Sequence, residues 1–174
     1  MNVVVTEHSE NWNQKFFEES QKIKDIFSNE LIEIHHIGST SVPGLKAKPI
    51  IDTMPVVKDI KKIDLFNEQM TSLGYECMGE FGMKGRRYFR KGGENRTHQV
   101  HVFQGDNEED ITRHLAVRDY LRTHPDEVNR YGDLKESLAK QFPRDIEAYM
   151  DGKDAFVKDL ERKALHWYKM GEES

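Results

Sequence analysis

Two stretches in the first third of the chain have the hydrophobic patterns of β-strands. Residues 31–37 carry apolar side chains at about every second position, which is the period of a strand with one buried face. Residues 49–57 are apolar almost throughout, as in a strand covered on both faces, and Asp52 is the charged exception. Gly38-Ser39-Thr40 and Pro43-Gly44 break the chain between them. The pattern therefore predicts two strands joined by a loop, with a carboxylate inside the second strand.

Most of the other apolar residues recur at helical spacing. An apolar stripe from Trp12 to Phe27 follows Ser9, a residue type that caps helices, and we interpret this stripe as core packing. A second helix is expected between Asp59 and Gly74. The remaining predicted elements are helices at about residues 108–121, 125–142 and 155–168, and strands at residues 75–80, 86–91 and 97–104.

These elements predict an α/β (α+β) fold. We expect a twisted, mixed sheet of about five strands that carries helices on one face and is followed by a C-terminal helical bundle. A chain of 174 residues is long enough for one well-buried domain and short for two. The expected organisation is therefore a single domain over residues 1–174, with an α/β core at about 1–105 and a helical part at about 106–170.

The charge balance and cysteine content limit the classes of partner and location. A net charge of −5 argues against nucleic acid as a partner, because proteins that bind its phosphate backbone usually carry a basic face. A nucleotide or phosphorylated small molecule needs only a few local cations. The single cysteine, Cys77, excludes an intramolecular disulfide and fits a reducing cytosol. With no signal-peptide pattern and no run of about 18 apolar residues, we expect a cytoplasmic protein without a membrane span; the oligomeric state stays open.

Asp52 needs a partner, because a charge inside an apolar strand costs several kcal/mol unless it is paired, hydrogen-bonded or bound to metal. One interpretation is a structural ion pair with Lys48. The other is a functional site, because small residues after a strand let backbone N–H groups and hydroxyls approach a phosphate closely. In that interpretation Gly38, Ser39 and Thr40 form a phosphate cradle, and Asp52 holds a metal ion beside it.

The predicted strand at residues 86–91 carries four Lys or Arg side chains among six residues. Strand alternation places Arg86, Tyr88 and Arg90 on one face. One explanation is an edge strand whose charges prevent aggregation. The other is an anion site, in which Arg86 or Arg90 binds phosphate oxygens and Tyr88 stacks on a base.

The histidines do not have the spacing of a simple metal site. His35 and His36 are adjacent on a predicted strand and therefore point to opposite faces. His98 and His101 are three residues apart on another strand and also face opposite ways unless a bulge intervenes. The sequence therefore does not favour a zinc site made of histidines alone.

Four motifs resemble those of the GrpB family, a group of uncharacterised bacterial proteins in the nucleotidyltransferase superfamily of DNA polymerase beta. They are HIGSTSVPGLKAKPIIDTMPVV from His36, GRRYFRK at residues 85–91, THQVHV at residues 97–102 and RDYLRTHP at residues 118–125. The likeness runs from about Trp12 to about Phe156. It implies a nucleotidyltransferase-like fold over nearly the whole chain.

The superfamily pattern is kept only in part. Relatives have a Gly-Ser or Gly-Gly pair, then two acids separated by one residue, then a third acid on a later strand. Gly38-Ser39 and Asp52 match the first part, whereas Met54 stands at the position of the second acid. His101 is the outstanding polar residue of the strand expected to carry the third. Shared carboxylates normally hold two metal ions for in-line attack on a nucleotide phosphate, and this chain keeps one of those carboxylates.

The resemblance implies a role for each matching residue. A nucleoside triphosphate with Mg²⁺ is expected beside Gly38, Ser39 and Asp52, and His101 is expected as an unusual ligand or a general base. The cations expected to neutralise phosphate charge are Lys48, Arg86 and Arg90 from the sheet and Arg118 and Lys135 from the helical part.

Two functions follow from these expectations, and a purely structural interaction domain is the third interpretation if no phosphate compound shifts the melting temperature. The first is transfer of a nucleotidyl group from a nucleoside triphosphate to an unidentified small acceptor. The alternative is a non-catalytic nucleotide or coenzyme sensor, because Met54 replaces an acid that the metal-dependent reaction uses. Some GrpB-like domains are fused to dephospho-coenzyme A kinase, so the resemblance makes an adenine-containing coenzyme a candidate ligand.

Overall fold

The fold is built on one mixed sheet of five strands. The computed structural model describes the backbone of residues 2–173 and the side chains of residues 2–171. The strands are β1 (Leu31–Ile37), β2 (Ile51–Val57), β3 (Tyr75–Cys77), β4 (Arg86–Lys91) and β5 (His98–Gln104), and their order across the sheet is β1-β2-β5-β4-β3. β2 and β5 are parallel neighbours and the other pairs are antiparallel. The predicted mixed sheet is therefore confirmed.

Five α-helices pack around this sheet within residues 2–173. They are α1 (Asn11–Phe27), α2 (Asn67–Ser72), α3 (Glu108–Thr123), α4 (Pro125–Gln141) and α5 (Ile146–Glu173), and a 3₁₀-helix over Ile60–Phe66 precedes α2. The apolar stripe of α1 packs on one face of the sheet through Ile23 and Phe27, together with Ile63 and Met70. None of the described helices has both the length and the apolar composition needed to cross a membrane.

One of the two explanations for the charges of β4 is wrong. It requires an edge strand, but β4 lies inside the sheet, between β5 and the short strand β3. The three-residue β3 is the edge strand on this side of the sheet, and backbone hydrogen bonds between Tyr88 and residues 78 and 79 continue its pairing beyond Cys77. Protection of an exposed edge therefore does not explain Arg86 and Arg90.

The loop between β1 and β2 is anchored in the helical bundle. Val42 and Leu45 are fully buried among apolar residues of α3, α4 and α5. The Arg122 guanidinium of α3 donates two hydrogen bonds to the Ser41 carbonyl, at 3.1 and 2.9 Å. Residues 38–47 are therefore held between the sheet and the bundle.

The last helix begins earlier than the sequence pattern predicts. α5 starts at Ile146 instead of about residue 155, and Asp145 accepts a hydrogen bond from the Ala148 N–H at 3.1 Å, as a helix cap does. The additional turns carry Tyr149 and Lys153 toward the loop that follows β1. This difference in one helix boundary changes the composition of the candidate site.

Candidate functional site

Asp52 is the second residue of β2, opposite Ile37, and its carboxylate packs directly against Gly38. A Cβ atom on Gly38 would stand 2.6 Å from Asp52 Oδ2, and Gly38 has a φ of +72°. Both the close approach and the left-handed backbone require glycine here. The predicted juxtaposition of the glycine turn and the carboxylate is therefore a feature of the structure.

The direct partner of Asp52 is His101, on the neighbouring parallel strand. His101 Nε2 lies 3.1 Å from Asp52 Oδ1, and the side chains are 14% and 23% exposed. The other ring nitrogen, Nδ1, is buried and has no hydrogen-bond partner among the described residues. An ion pair with Lys48 was the alternative interpretation, but Lys48 acts on Asp52 only at longer range: burial lowers the Lys48 pKa, and the Asp52 charge opposes this shift.

A cavity of about 170 Å³ opens beside this pair. Its charged lining consists of Asp52 and three lysines, Lys48, Lys135 and Lys153, and we call this space the lysine cavity. Three amines and one carboxylate give the lining of the cavity a surplus of basic groups. Such a lining favours an anionic ligand.

Lys135 is the most deeply buried of the three lysines, with 2% of its surface exposed. Its ammonium donates to Ser39 Oγ and to the Lys46 carbonyl at 3.4 Å, and it lies 4.1 Å from the centre of the Tyr131 ring. Burial is the main cause that lowers the Lys135 pKa well below its usual 10.5, and the charges of Lys153 and Lys48 lower it further. An anion beside Lys135 would reverse this shift.

Lys48 and Lys153 flank the ring of Tyr149, each with its ammonium 5.2 Å from the ring centre. Burial, followed by the charge of Lys48, lowers the Lys153 pKa to about 8, while Asp52 opposes the shift. The Tyr149 hydroxyl is buried and makes no hydrogen bond to any described residue. The α5 wall of the cavity therefore supplies a cation and an unused hydroxyl.

The two hydroxyls of the glycine turn differ in availability. Ser39 Oγ lines the cavity and accepts from Lys135. Thr40 Oγ1 is engaged by the Ile50 carbonyl at 3.2 Å and by His36 Nε2 at 2.9 Å, and Thr40 is 1% exposed. These bonds tie Thr40 to β1 and to the start of β2, whereas Ser39 lines the lysine cavity with its Oγ bonded to Lys135.

The predicted arginine site of β4 lies on the same face of the sheet but farther from the lysine cavity. Tyr88 pairs with His101 across the strands, with 5.3 Å between ring centres. Arg86 donates to the carbonyls of residues 80 and 81, at 3.3 and 2.9 Å, and Arg90 pairs with Glu76 at 2.6 Å. Neither arginine lines the lysine cavity.

Arg118 is also separated from the lysine cavity. Its guanidinium donates to Asp119 at 2.8 Å and to the His36 carbonyl at 3.4 Å. It borders a second cavity, of about 110 Å³, on the bundle side of Gly38 and Ser39. Of the predicted cations, Lys48 and Lys135 are therefore the two that the fold brings to the lysine cavity.

Sequence reasoning missed Tyr149 and Lys153. A signal was present, because Ile146, Tyr149 and Lys153 recur at helical spacing after Asp145, a residue type that caps helices. Arg96, in the turn between β4 and β5, was also missed. Its charge is among the causes that lower the Lys48 pKa, after burial and against Asp52, so it lies near the same region.

The comparison with known sequences identifies the family. A sequence profile described as "GrpB protein" matches residues 2–163. The chain belongs to the GrpB family. It is 48% identical over 162 residues to the UPF0157 protein YqkA of Bacillus subtilis, which covers 93% of this chain and 47% of YqkA. The chain thus spans about half the length of that relative.

Solved structures support the same fold. The crystal structure of the conserved GrpB protein from Enterococcus faecalis has a TM-score of 0.93 at 50% identity and covers 95% of this chain and 99% of that one. A structure of the Cid1 poly(U) polymerase has a TM-score of 0.54 at 13% identity, over 78% of this chain and 43% of Cid1. The fold of this GrpB chain is therefore nucleotidyltransferase-like, as the motifs predicted.

The donor atoms of this GrpB chain do not fit a two-metal centre. Met54, at the position of the second acid, is fully buried and packs with Ile37 and Phe103 under α3. Among the described residues, no group of three or more His, Cys, Asp or Glu side chains is arranged to hold a metal ion. Asp52 is the one carboxylate of the lysine cavity, so a Mg²⁺ ion there would need most of its ligands from a bound phosphate and water.

Proposed function

We propose that this protein binds a phosphate-bearing small molecule, a nucleotide in the first place, with its phosphate in the lysine cavity. The observation that carries the proposal is the convergence of Lys48, Lys135 and Lys153 on one carboxylate. Burying these amines costs free energy that a phosphate dianion would offset. A binding or sensing role is favoured over catalysis because the second metal-binding acid is replaced by a buried Met54.

The size of the cavity supports binding of the phosphate rather than of a whole nucleotide inside it. Sites that enclose drug-sized ligands measure about 300–1,000 Å³, whereas the lysine cavity measures about 170 Å³. The sugar and base of a nucleotide would therefore extend out of it. We expect the hydroxyls of Ser39 and Tyr149, two of the lining residues, to contact phosphate oxygens.

Isothermal titration calorimetry with adenosine 5′-monophosphate (AMP) tests this proposal. Wild-type protein is expected to bind AMP, and Lys153→Gln is expected to weaken binding about tenfold, because it removes one charge-assisted contact. Lys158→Gln is the matched control, since Lys158 is an exposed lysine of the same helix whose partner is Asp154. Absence of AMP and pyrophosphate binding to the folded wild-type protein would reject the proposal.

Nucleotidyl transfer is the second candidate, and the contact between Asp52 and His101 favours it. A carboxylate that orients an imidazole is a recurring element of acid–base catalysis. In this candidate the lysines would stabilise charge on the transferring phosphoryl group, and Asp52 would help to hold a Mg²⁺ ion that a nucleoside triphosphate carries. The engagement of His101 Nε2 by Asp52 favours His101 as a group that positions this carboxylate, and its role as a base stays a prediction.

Asp52→Asn separates the two candidates. If the protein only binds the ligand, and no metal is present, Asp52→Asn removes the repulsion between the carboxylate and the AMP phosphate. The affinity for AMP is then expected to rise or stay unchanged. A transferase instead requires that pyrophosphate release from ATP and Mg²⁺, assayed with a panel of hydroxyl-bearing acceptors, occurs in the wild type and disappears in Asp52→Asn. Binding of AMP without any pyrophosphate release supports the sensor.

A further inference from the structure

A basic groove adjoins the lysine cavity. It has a volume of about 390 Å³ and lies between α1, the segment before β2 and the turn between β4 and β5. Lys48 and Ile50 line both spaces, so the groove continues outward from the cavity. A ligand whose phosphate occupies the cavity therefore has a path along this groove.

The charge of the groove is also suited to an anion. Its charged lining residues are Lys15, Lys48 and Arg96 against one acid, Glu94. The Arg96 Nε atom is buried and has no hydrogen-bond partner among the described residues. A buried guanidinium nitrogen without an acceptor is costly, and an anionic oxygen would satisfy it.

The turn that carries Arg96 is held rigidly against β2. A Cβ atom on Gly92, whose φ is +103°, would stand 2.4 Å from the Asn95 carbonyl oxygen, so the turn is closely packed. The Thr97 N–H donates to the Lys91 carbonyl at 2.9 Å, and the Thr97 carbonyl accepts from the Ile51 N–H at 2.9 Å. Arg96 is thus fixed beside the entrance to β2 and does not depend on a flexible loop.

Building on the phosphate site of the proposed function, we propose that the natural ligand carries two separate anionic groups. The first occupies the lysine cavity. The second lies in the groove, where Arg96 and Lys15 bind it and Lys48 faces the space between the two groups. The ligand class is a small bisphosphate whose charges are on different ends of the molecule, in contrast to a linear di- or triphosphate chain.

Two isomers with the same composition test this inference by calorimetry. Adenosine 5′-diphosphate (ADP) carries both phosphates in one chain at the 5′ position, whereas adenosine 3′,5′-bisphosphate carries the second phosphate at the 3′ position. Arg96→Gln is expected to weaken binding of the 3′,5′-bisphosphate about tenfold and binding of ADP by less than about threefold. The reason is that only the 3′,5′-bisphosphate places a phosphate in the groove. Lys15→Gln should act in the same direction.

Arg144→Gln serves as the matched control, because Arg144 is exposed and lines neither space. Equal losses for both isomers in Arg96→Gln, or no loss for either, would overturn the second site while leaving AMP binding in the lysine cavity intact. Failure of the wild type to bind AMP or either isomer would reject both proposals together. A thermal melt of each variant verifies that it is folded.

Discussion

At the scale of single residues, Gly38 combines a left-handed backbone with close packing against the candidate site. Replacing it with alanine places a Cβ atom 2.6 Å from Asp52 Oδ2 on a backbone with φ +72°. Gly44 has a similar φ of +81° with nothing within 4 Å of its Cβ position. Gly44→Ala is therefore a control that introduces the backbone strain without a close contact.

We expect Gly38→Ala to lower the free energy of unfolding by about 2–4 kcal/mol, and Gly44→Ala by about 1 kcal/mol. Urea denaturation measures both values. Similar losses in the two variants would mean that the contact between the turn and the carboxylate is not tight.

Lys135 is predicted to serve binding at the expense of stability. Methionine has a similar volume and no charge to bury, so Lys135→Met should leave the free energy of unfolding unchanged or raise it by about 1–3 kcal/mol. The same variant should lose most of its affinity for AMP. Lys140→Met, an exposed position on α4, should alter neither quantity.

A different outcome for Lys135→Met would identify a structural lysine. Marked destabilisation combined with retained AMP affinity is that outcome. It would mean that the bonds of Lys135 to Ser39 and to the Lys46 carbonyl stabilise the loop and that the amine does not meet the ligand.

The pH dependence of AMP binding follows from Lys153. Its pKa of about 8 in the free protein should rise when a phosphate binds, so binding takes up a proton near pH 8. The affinity is greatest below the pKa of the free protein and falls as pH rises through it, by about tenfold between pH 7 and 9.

Calorimetry in buffers of different ionisation enthalpy measures the proton uptake. AMP suits this range because a phosphate monoester has already lost its second proton, whose pKa is about 6. Lys153→Gln should flatten the profile. An affinity that rises with pH would contradict the assignment of Lys153 to the phosphate site.

At the scale of elements, the loop over residues 38–47 couples the bundle to the site. The two hydrogen bonds from Arg122 to the Ser41 carbonyl hold it without entering the lysine cavity. We expect Arg122→Gln to accelerate amide hydrogen exchange at Val42, whose N–H donates to the Ser39 carbonyl, and to weaken AMP binding about threefold.

Arg130→Gln is the control for that experiment, because Arg130 is an exposed residue of α4 that pairs with Glu127. Unchanged exchange at Val42 in Arg122→Gln would show that burial of Val42 and Leu45 fixes the loop without help from Arg122.

Elements of the sheet were easier to predict from sequence than the α5 half of the site. The roughly alternating apolar residues of β1 indicate the period of a strand, and both β1 and β4 have the predicted bounds. In α5, Gly152 and the charged residues around it interrupt the apolar pattern, so the helix was expected to start near residue 155. Lys153 becomes part of the site only because α5 packs near the turn at Ser39. That contact joins distant parts of the chain, so local sequence does not indicate it.

At the scale of the whole molecule, a nucleotidyltransferase-like fold is combined with a lysine-rich cavity. The fold presents the glycine turn and Asp52 as expected from the motifs. One carboxylate and three lysines are the charged residues that line the cavity beside this turn. Local sequence predicted the turn and the first acid, whereas the surplus of lysines depends on the assembly of the sheet with α4 and α5.

The most direct test of this account is a crystal structure of the protein grown with AMP. The phosphate is expected between the ammonium groups of Lys48, Lys135 and Lys153, within hydrogen-bond distance of Ser39 Oγ, and with the nucleoside directed toward the groove of Arg96. A phosphate bound instead against Arg86 and Arg90, with the lysine cavity filled by a closed contact between Asp52 and a lysine, would contradict it.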